Sequence, residues 1–190
     1  MTDLPATFSD EERVNGLRVI RSQNVGPATF FALMDHFTTA AEALSAAPEL
    51  SRRGGRKRAI RRADRAAAEA EIEALYRMGG KLIALDEAGY PTPLAAIADP
   101  PPIIQVLGNS ALLSRDCIGM VGARNASAAG RRFARDIASE LGACDLMVVS
   151  GMARGIDTAA HQGAHKAGTS AVVAGGVDVV YPRENQPLYE

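Results

Sequence analysis

The 190-residue sequence predicts an α/β protein in which an N-terminal all-helical region precedes a parallel sheet. Apolar residues recur at helical spacing up to about residue 78, and short β-prone runs alternate with helical segments from Ile103 onward. Repeated βα units of this length are typical of a doubly wound parallel sheet with right-handed crossovers. We therefore place a helical domain at residues 1–65 and a sheet domain at residues 66–190.

The first two helices begin at recognisable capping residues. Residues 1–8 are expected to form a loose terminus, and Ser9 followed by Glu12 is a capping-box pattern. Pro27 suits the first position of the second helix. The turn at 25–27 is similar to a helix-hairpin-helix or SAM-like unit, whose hairpin amides touch a DNA phosphate in some families. A single glycine turn favours a plain packing hairpin over that role. The apolar residues expected to pack these helices are Leu17, Ile20, Phe30, Leu33 and Phe37.

A strongly basic segment, Arg52–Arg65, lies between a third helix expected at 39–46 and a fourth at about 64–78. The segment holds eight of the 21 basic residues and one acidic residue, although the net charge of the whole chain is -1. Such a segment either contacts a phosphate backbone or serves as a solvated linker, and its composition favours neither. A first strand is expected at 81–85, and the prolines after it predict an extended covering segment at 90–102.

The sheet domain is predicted from alternating strands and helices. Strands are expected at 103–107, 117–121, 146–149 and 169–174, and helices near 110–113, 127–141 and 156–167. The buried face of the helix at 127–141 is expected to consist of Gly130, Phe133, Ala134, Ile137, Ala138 and Leu141. Since few residues follow the last strand, we expect a truncated sheet with an exposed edge or a missing packing layer.

Composition excludes several classes of protein. The chain has no apolar run of 18 residues and no basic-then-apolar leader, so we predict no membrane span, no signal peptide and a cytoplasmic location. Cys117 and Cys144 lack the spacing of metal ligands, and we expect buried free thiols and no metal site. Neither GxGxxG nor a P-loop pattern occurs, so no NAD or ATP cofactor is predicted.

A glycine-punctuated turn, Ser150–Gly155, follows the apolar run at 146–149 and opens a helix at Ile156. Gly151 and Gly155 allow positive φ or close backbone approach, so the amides between Ser150 and Ile156 can converge on an anion at the helix N-terminus. A phosphate group is the expected ligand. The hydroxyl group of Ser150 is expected to cap the turn or to bind that phosphate.

Three arginines stand in or after successive turns at the carboxyl edge of the predicted sheet. Arg124 belongs to the Gly122-Ala-Arg turn, and Arg154 and Arg183 follow later strands. Ligands of open α/β sheets bind at this edge, so together the three outline a phosphate track, although each alone would suit a surface salt bridge. Asp157 and His161, four residues apart, are more typical of a local contact than of an acid/base pair.

Three motifs in order carry a resemblance to a known family. The motif Ser150-Gly-x-Ala-x-Gly-Ile-Asp-x-x-Ala-His161, preceded by Val121-Gly-Ala-Arg124 and followed by Tyr181-Pro-Arg-Glu-Asn185, resembles the DNA-processing protein A family, called DprA or Smf. The resemblance implies a SAM-like helical region before a Rossmann-like domain. It also implies a non-enzymatic protein of natural transformation, or competence, that binds and protects single-stranded DNA and loads the RecA recombinase.

The same resemblance implies roles for individual residues. Arg124 would contact the DNA backbone, and Arg183 would lie in the same positive pocket. Ala123 departs from the serine that is common in the family, which removes one hydroxyl donor. The family's domain continues beyond the Tyr-Pro-x-x-Asn motif and usually forms a homodimer, so a chain that stops at Glu190 is expected to be a fragment.

An enzyme of the related nucleoside-monophosphate phosphoribohydrolase group is the alternative, because a phosphate-binding turn does not distinguish a polymer backbone from a mononucleotide. The Pro-Gly-Gly-x-Gly-Thr turn of that group is absent from the sequence. We therefore predict a DNA-binding site without catalytic or metal-ligating residues. Its expected DNA- or phosphate-binding residues are Gly122, Arg124, Ser150, Gly151, Arg154, Gly155 and Arg183.

Overall fold

A computed structural model describes residues 9–53 and 60–190 of the chain. A helical region and an antiparallel strand pair precede a parallel three-stranded sheet with helices, which confirms the predicted fold class. One compact unit ends at Gly108 and a second runs from Asn109 to Glu190. The predicted loose terminus and the centre of the basic segment, at 54–59, lie outside the described residues. The domain boundary at residues 65 and 66 stays a prediction.

Four helices open the first unit: α1 Asp10–Arg21, α2 Pro27–His36, α3 Ala40–Arg53 and α4 Arg65–Arg77. The hydroxyl group of Ser9 accepts a hydrogen bond from the Glu12 amide at 3.2 Å, and Pro27 is the first residue of α2, both as predicted. Asp64 caps α4 by accepting from the amide of Ala67 at 3.3 Å. A shared core contains Val19, Leu33, Ala40, Ala43, Leu44, Ala47 and Ile60.

The apolar residues predicted to pack these helices are buried or half-buried in the structure. Leu17 and Leu33 are buried, Phe30 and Phe37 pack half-buried against the core, and Ile20 is half-buried. No strand occurs at residues 10–50, all of which belong to the described backbone.

The predicted end of the third helix at residue 46 is wrong, because α3 continues through Pro48. Its buried face extends to Ala47, so packing against the core outweighs the proline.

An antiparallel strand pair completes the first unit. Strand β1, Lys81–Ala84, pairs with β2, Ile103–Val106, so that Lys81 lies opposite Val106 and Ala84 opposite Ile103. Arg13 of α1 donates to the carbonyl oxygen of Leu82 at 2.7 Å and pairs with Glu87. The strand pair is therefore tied to the helices that precede it.

This pairing corrects the expectation that the strand at 103–107 belongs to the parallel sheet. A parallel crossover usually carries a helix that covers the sheet, and the connection at residues 85–102 is long enough for one but contains only the four-residue helix α5, Thr92–Ala95. All four residues of β2 instead pair with β1 in the antiparallel direction. The helix also shows that the expectation of an extended chain throughout 90–102 is wrong. Pro93 fits in the first turn of α5, where its missing N–H is not needed.

The second unit is built on three parallel strands, β3 Cys117–Gly119, β4 Met147–Ser150 and β5 Thr169–Ala171, with β4 in the centre. Ser127 caps the first long helix, α6 Ala128–Ala143, by accepting from the amide of Gly130 at 3.1 Å. The second, α7 Ile156–Ala164, packs against α6. Short 3₁₀-helices lie at Ser110–Ser114 and Arg183–Asn185, and α8 spans Gln186–Tyr189.

Two burial predictions for this unit are wrong. Phe133 of α6 is 68% exposed, because the helix buries Ala134 and Ala138 against the sheet and turns Phe133 outward. Cys117 and Cys144 are free thiols as expected, but both are exposed. The reason is that β3 exposes all three of its residues and that Cys144 caps the end of α6.

Clustered metal ligands and long apolar helices are both absent from residues 9–53 and 60–190. No group of three or more histidine, cysteine or acidic residues gathers there as a metal site would require. Nor does any helix in those ranges combine the length and apolar character needed to cross a membrane.

Close contact between α6 and α7 leaves no room for a side chain at Gly163. A Cβ atom there would collide with the carbonyl oxygen of Arg135 and lie 2.9 Å from the Cβ atom of Ala138. The colliding oxygen belongs to a helix backbone, so the two helices would have to move apart.

We predict that Gly163→Val lowers the free energy of unfolding by about 1–3 kcal/mol, the usual cost of overpacking. Urea unfolding followed by circular dichroism measures the change. The matched control is Gly119→Val, since nothing lies within 4 Å of a Cβ atom at Gly119. Equal stability of the two variants would contradict the tight contact.

Candidate nucleic-acid interface

Two turns at the carboxyl ends of β3 and β4 touch each other. The amide of Ile156 donates to the carbonyl oxygen of Ala123 at 3.3 Å. Gly155 has φ +80°, and a Cβ atom there would collide with the Ala123 oxygen and lie 2.5 Å from the Arg124 oxygen. At Gly122, a Cβ atom would lie 2.6 Å from Cγ1 of Ile156. The glycines of both motifs thus bring the backbone of Arg124 against the start of α7.

The polar groups at the start of the Ser150–Gly155 turn are used inside the protein. Ser150 is buried, and its hydroxyl group donates to the carbonyl oxygen of Met120 at 2.7 Å. The amide of Gly151 donates to the Oδ2 atom of Asp157 at 3.2 Å. The expected phosphate-binding hydroxyl group therefore connects β4 to the residue that follows β3.

Asp157 occupies the position at which the sequence places an external anion. Asp157 is 7% exposed, and its Oδ2 atom accepts from the amide of Ala153 at 3.3 Å as well as from that of Gly151. Two of the converging amides are therefore satisfied by a side chain from the first turn of α7. The sequence analysis considered Asp157 only as a neighbour of His161 and missed this role. An aspartate two residues after Gly155, in the first turn of a helix, could have indicated an internal partner for these amides.

The Tyr181-Pro-Arg-Glu-Asn185 motif lies against the same turn. Asn185 is 5% exposed and donates to the carbonyl oxygen of Met152 at 2.8 Å and to the hydroxyl group of Thr158 at 2.9 Å. Thr158 in turn donates to the carbonyl oxygen of Ala153 at 2.7 Å. The sequence supplied Asn185 as a motif residue without a role, and the structure makes it the side chain that docks this segment.

The three predicted arginines differ in their surroundings. Arg124 and Arg183 are exposed, and neither guanidinium group has a hydrogen bond or ion pair within the described ranges. Arg154 forms a two-contact ion pair with Glu184, in which Nη2 lies 3.2 Å from Oε2. This pairing raises the pKa of Arg154 and lowers the pKa of Glu184. Two of the arginines are therefore free to contact a ligand, and one already has a carboxylate partner.

His161 is buried behind the turn and belongs to its internal support. Its Nδ1 atom lies 2.7 Å from the hydroxyl oxygen of Thr169, which itself donates to the carbonyl oxygen of Val148 at 2.8 Å. Since that hydroxyl hydrogen is used, Nδ1 carries the proton, and Nε2 has no hydrogen-bond partner among the residues described. No hydrogen bond joins Asp157 to His161 in the same ranges. The two side chains have separate partners and form no exposed acid/base pair.

Comparison with known proteins matches both halves of the chain to one group of proteins. The family described as DNA recombination-mediator protein A matches residues 81–190. The family described as DprA-like N-terminal HHH domain matches residues 10–74.

Among similar proteins, the DNA processing protein DprA of Bacillus subtilis is 38% identical over 121 residues, which cover 62% of this chain and 41% of that protein. The DNA processing protein DprA of Streptococcus pneumoniae is 39% identical over 103 residues, covering 53% and 36%. The X-ray structure of the latter protein superposes with a TM-score of 0.58 at 32% identity, covering 67% of this chain and 44% of that one. The chain thus spans about two fifths of the length of these curated relatives.

The buried imidazole predicts a specific dependence of stability on pH. Burial lowers the pKa of His161, and the nearby Asp157 carboxylate opposes this effect. Below about pH 6.5 the unfolded chain binds a proton that the folded state resists, so stability is lost as pH falls, by at most about 1.4 kcal/mol per pH unit. Urea unfolding between about pH 5 and 7.5 measures this slope.

We expect His161→Gln to remove this contribution to the slope, whatever its effect on the absolute stability. The exposed His165, at the end of α7, provides the control variant His165→Gln. A slope that is the same in His161→Gln and the parent would show that another group titrates.

Proposed function

Because the chain belongs to the DNA recombination-mediator protein A family, called DprA or Smf, we propose that it binds single-stranded DNA at the carboxyl edge of its parallel sheet. The relatives are named DNA processing proteins. One observation carries the proposal: the exposed guanidinium group of Arg124 has no partner within the described ranges. Its planar fork is suited to the oxygen atoms of a phosphate, and this edge is where α/β sheets bind ligands.

The backbone that carries Arg124 is held in place while its side chain is free. Gly155 and Ile156 contact the carbonyl oxygens of residues 123 and 124, so the turn is packed on the start of α7. A donor on a fixed backbone loses less conformational entropy on binding than one on a loose loop. We therefore assign Arg124 the central contact, with Gly122, Ser150, Gly151 and Gly155 shaping the turns behind it.

Arg183 and Arg154 contribute differently to this proposed surface. Arg183 lies in the motif that docks through Asn185 onto the Ser150–Gly155 turn, and its exposed side chain supplies a second free cation. Arg154 contacts a phosphate only if its ion pair with Glu184 opens. We therefore propose that Arg124 and Arg183 contact the DNA phosphates in the unmutated protein, and that Arg154 does so only when its ion pair is open.

Base identity is expected to matter little for this binding. Phosphate contacts carry no direct sequence information, and stacking on an aromatic ring tolerates every base. The motif after β5 contributes one exposed aromatic side chain, Tyr181, which is 70% exposed. A single ring of this kind supports stacking of one base without selecting it.

We propose a binding role without catalysis. The alternative, a phosphoribohydrolase acting on nucleoside monophosphates, requires an acid or base that reaches the substrate. Asp157 is bound by backbone amides and His161 is 1% exposed, so neither side chain is available to a ligand at the edge. Measuring base release from AMP tests the alternative directly, and steady release by the purified chain would favour the enzyme.

The wider role follows from family membership and concerns the whole protein. We propose that the bound strand is protected and passed to the RecA recombinase during natural transformation, in the cytoplasm, and that the protein acts as a homodimer. The chain spans about two fifths of its curated relatives, so these activities are best tested in a protein of their full length.

We predict that Arg124→Ala weakens binding of labelled oligothymidine about tenfold, a loss of about 1.4 kcal/mol that is typical for a charge-assisted hydrogen bond. The loss should be similar for every base sequence, because the contact is to phosphate. The slope of log K against log salt should flatten by about 0.7. Fluorescence polarisation at several salt concentrations measures both quantities.

Lys166→Ala is the control for the loss of one positive charge. Lys166 is exposed and lies beyond the C-terminal end of α7, away from the carboxyl edge. Unchanged affinity and slope in Arg124→Ala would remove this edge as the DNA site, and the Arg52–Arg65 segment would be tested next.

We also predict that Glu184→Gln strengthens oligothymidine binding and steepens the salt slope by about 0.7, because Arg154 becomes free for one further phosphate. The matched control is Glu140→Gln, which removes one exposed carboxylate from the last turn of α6. If both variants gain the same affinity, the effect is one of net charge and Arg154 makes no contact.

A further inference from the structure

The turn before α7 contains its own anion. The amides of Gly151 and Ala153 both donate to Oδ2 of Asp157, at 3.2 and 3.3 Å. Converging amides before a helix are the arrangement by which proteins enclose a phosphate group. Here a carboxylate from the first turn of the helix takes that place.

This carboxylate is built into the turn. Asp157 is 7% exposed, and a Cβ atom at Gly151 would lie 2.9 Å from its Oδ2 atom. The N-terminal end of α7 also favours a negative charge in its first turn. Moving Asp157 aside for a ligand would leave a buried carboxylate without its donors, which is unfavourable.

We propose that Asp157 makes this site selective for the internal phosphodiesters of a strand against phosphate monoesters, such as free nucleotides and 5′-phosphate ends. The inference rests on the proposed DNA binding and specifies its ligand. A monoester carries nearly two negative charges at neutral pH, and a diester carries one. Attraction by Arg124 and Arg183 and repulsion by the Asp157 carboxylate both scale with that charge, so Asp157 removes part of the advantage that a monoester would otherwise have at this edge.

The donors that remain suit a strand passing over the edge. Arg124 and Arg183 are exposed on the two segments that flank the turn. The amides of Met152, Arg154 and Gly155 donate to no acceptor in the ranges described. The exposed guanidinium groups suit single oxygen atoms of a diester, whereas two of the amides that would enclose a terminal phosphate are already occupied by Asp157.

The first test compares oligothymidine carrying a 5′-hydroxyl with the same oligomer carrying a 5′-phosphate, by fluorescence polarisation on the parent chain. We expect equal affinities within about twofold and no competition by thymidine monophosphate at millimolar concentration, given the repulsion at the turn. Tighter binding of the phosphorylated end, or effective competition by the mononucleotide, would overturn the proposal.

The second test uses Asp157→Asn, whose side-chain oxygen still accepts from the two amides but carries no charge. We expect the 5′-phosphate oligomer to gain about threefold or more over the 5′-hydroxyl oligomer in this variant, because the repulsion is removed. Asp116→Asn, an equal change of charge before β3 at the opposite edge, should cause no such gain. The same ratio in both variants counts against a role for Asp157, and if Asp157→Asn does not fold, the parent measurements decide.

A third measurement tests the selectivity inference even if the chain does not bind DNA. If the parent chain binds neither oligomer, titration with inorganic phosphate is followed through the NMR signals of the Gly151 and Ala153 amides. The selectivity inference expects no shift of these signals in the parent chain. A saturable shift would overturn it independently of DNA.

Discussion

The candidate site depends on the close approach of two backbone segments at Gly155, where there is no room for a side chain. The carbonyl oxygens of Ala123 and Arg124 lie where a Cβ atom of residue 155 would stand, and Gly155 adopts a positive φ. Any other residue would separate the turn after β3 from the turn after β4. The position of Arg124 relative to the start of α7 therefore depends on Gly155, together with Gly122 on the facing turn.

Buried polar side chains then hold the second turn in a single shape. Asp157 binds two of its amides, Ser150 connects it to Met120, and Asn185 docks the last motif on it. Because the Asp157 carboxylate, the Ser150 hydroxyl group and the Asn185 amide group all have partners inside the protein, none of these three side chains needs a ligand to be satisfied. The charged groups that remain for recognition are consequently on its rim.

The arginines on that rim differ in whether they have an acidic partner. Arg124 and Arg183 have no acidic partner within the described ranges, whereas Arg154 is paired with Glu184. A carboxylate beside Arg154 and another inside the turn limit how much negative charge the edge accepts. In the proposed function, this balance is what would favour the singly charged phosphates of a strand over more highly charged ligands.

Sequence by itself determined the features that depend on neighbours along the chain. The caps at Ser9 and Ser127, the start of α2 at Pro27 and the strand, turn and helix order around Ser150–Gly155 all follow from local backbone preferences. The three motifs also sufficed to predict the family. Tertiary structure decided which amides and arginines remain free, that β2 pairs with β1 and that Phe133 points outward. Those outcomes depend on contacts between distant residues, such as Glu184 with Arg154, which local sequence patterns do not encode.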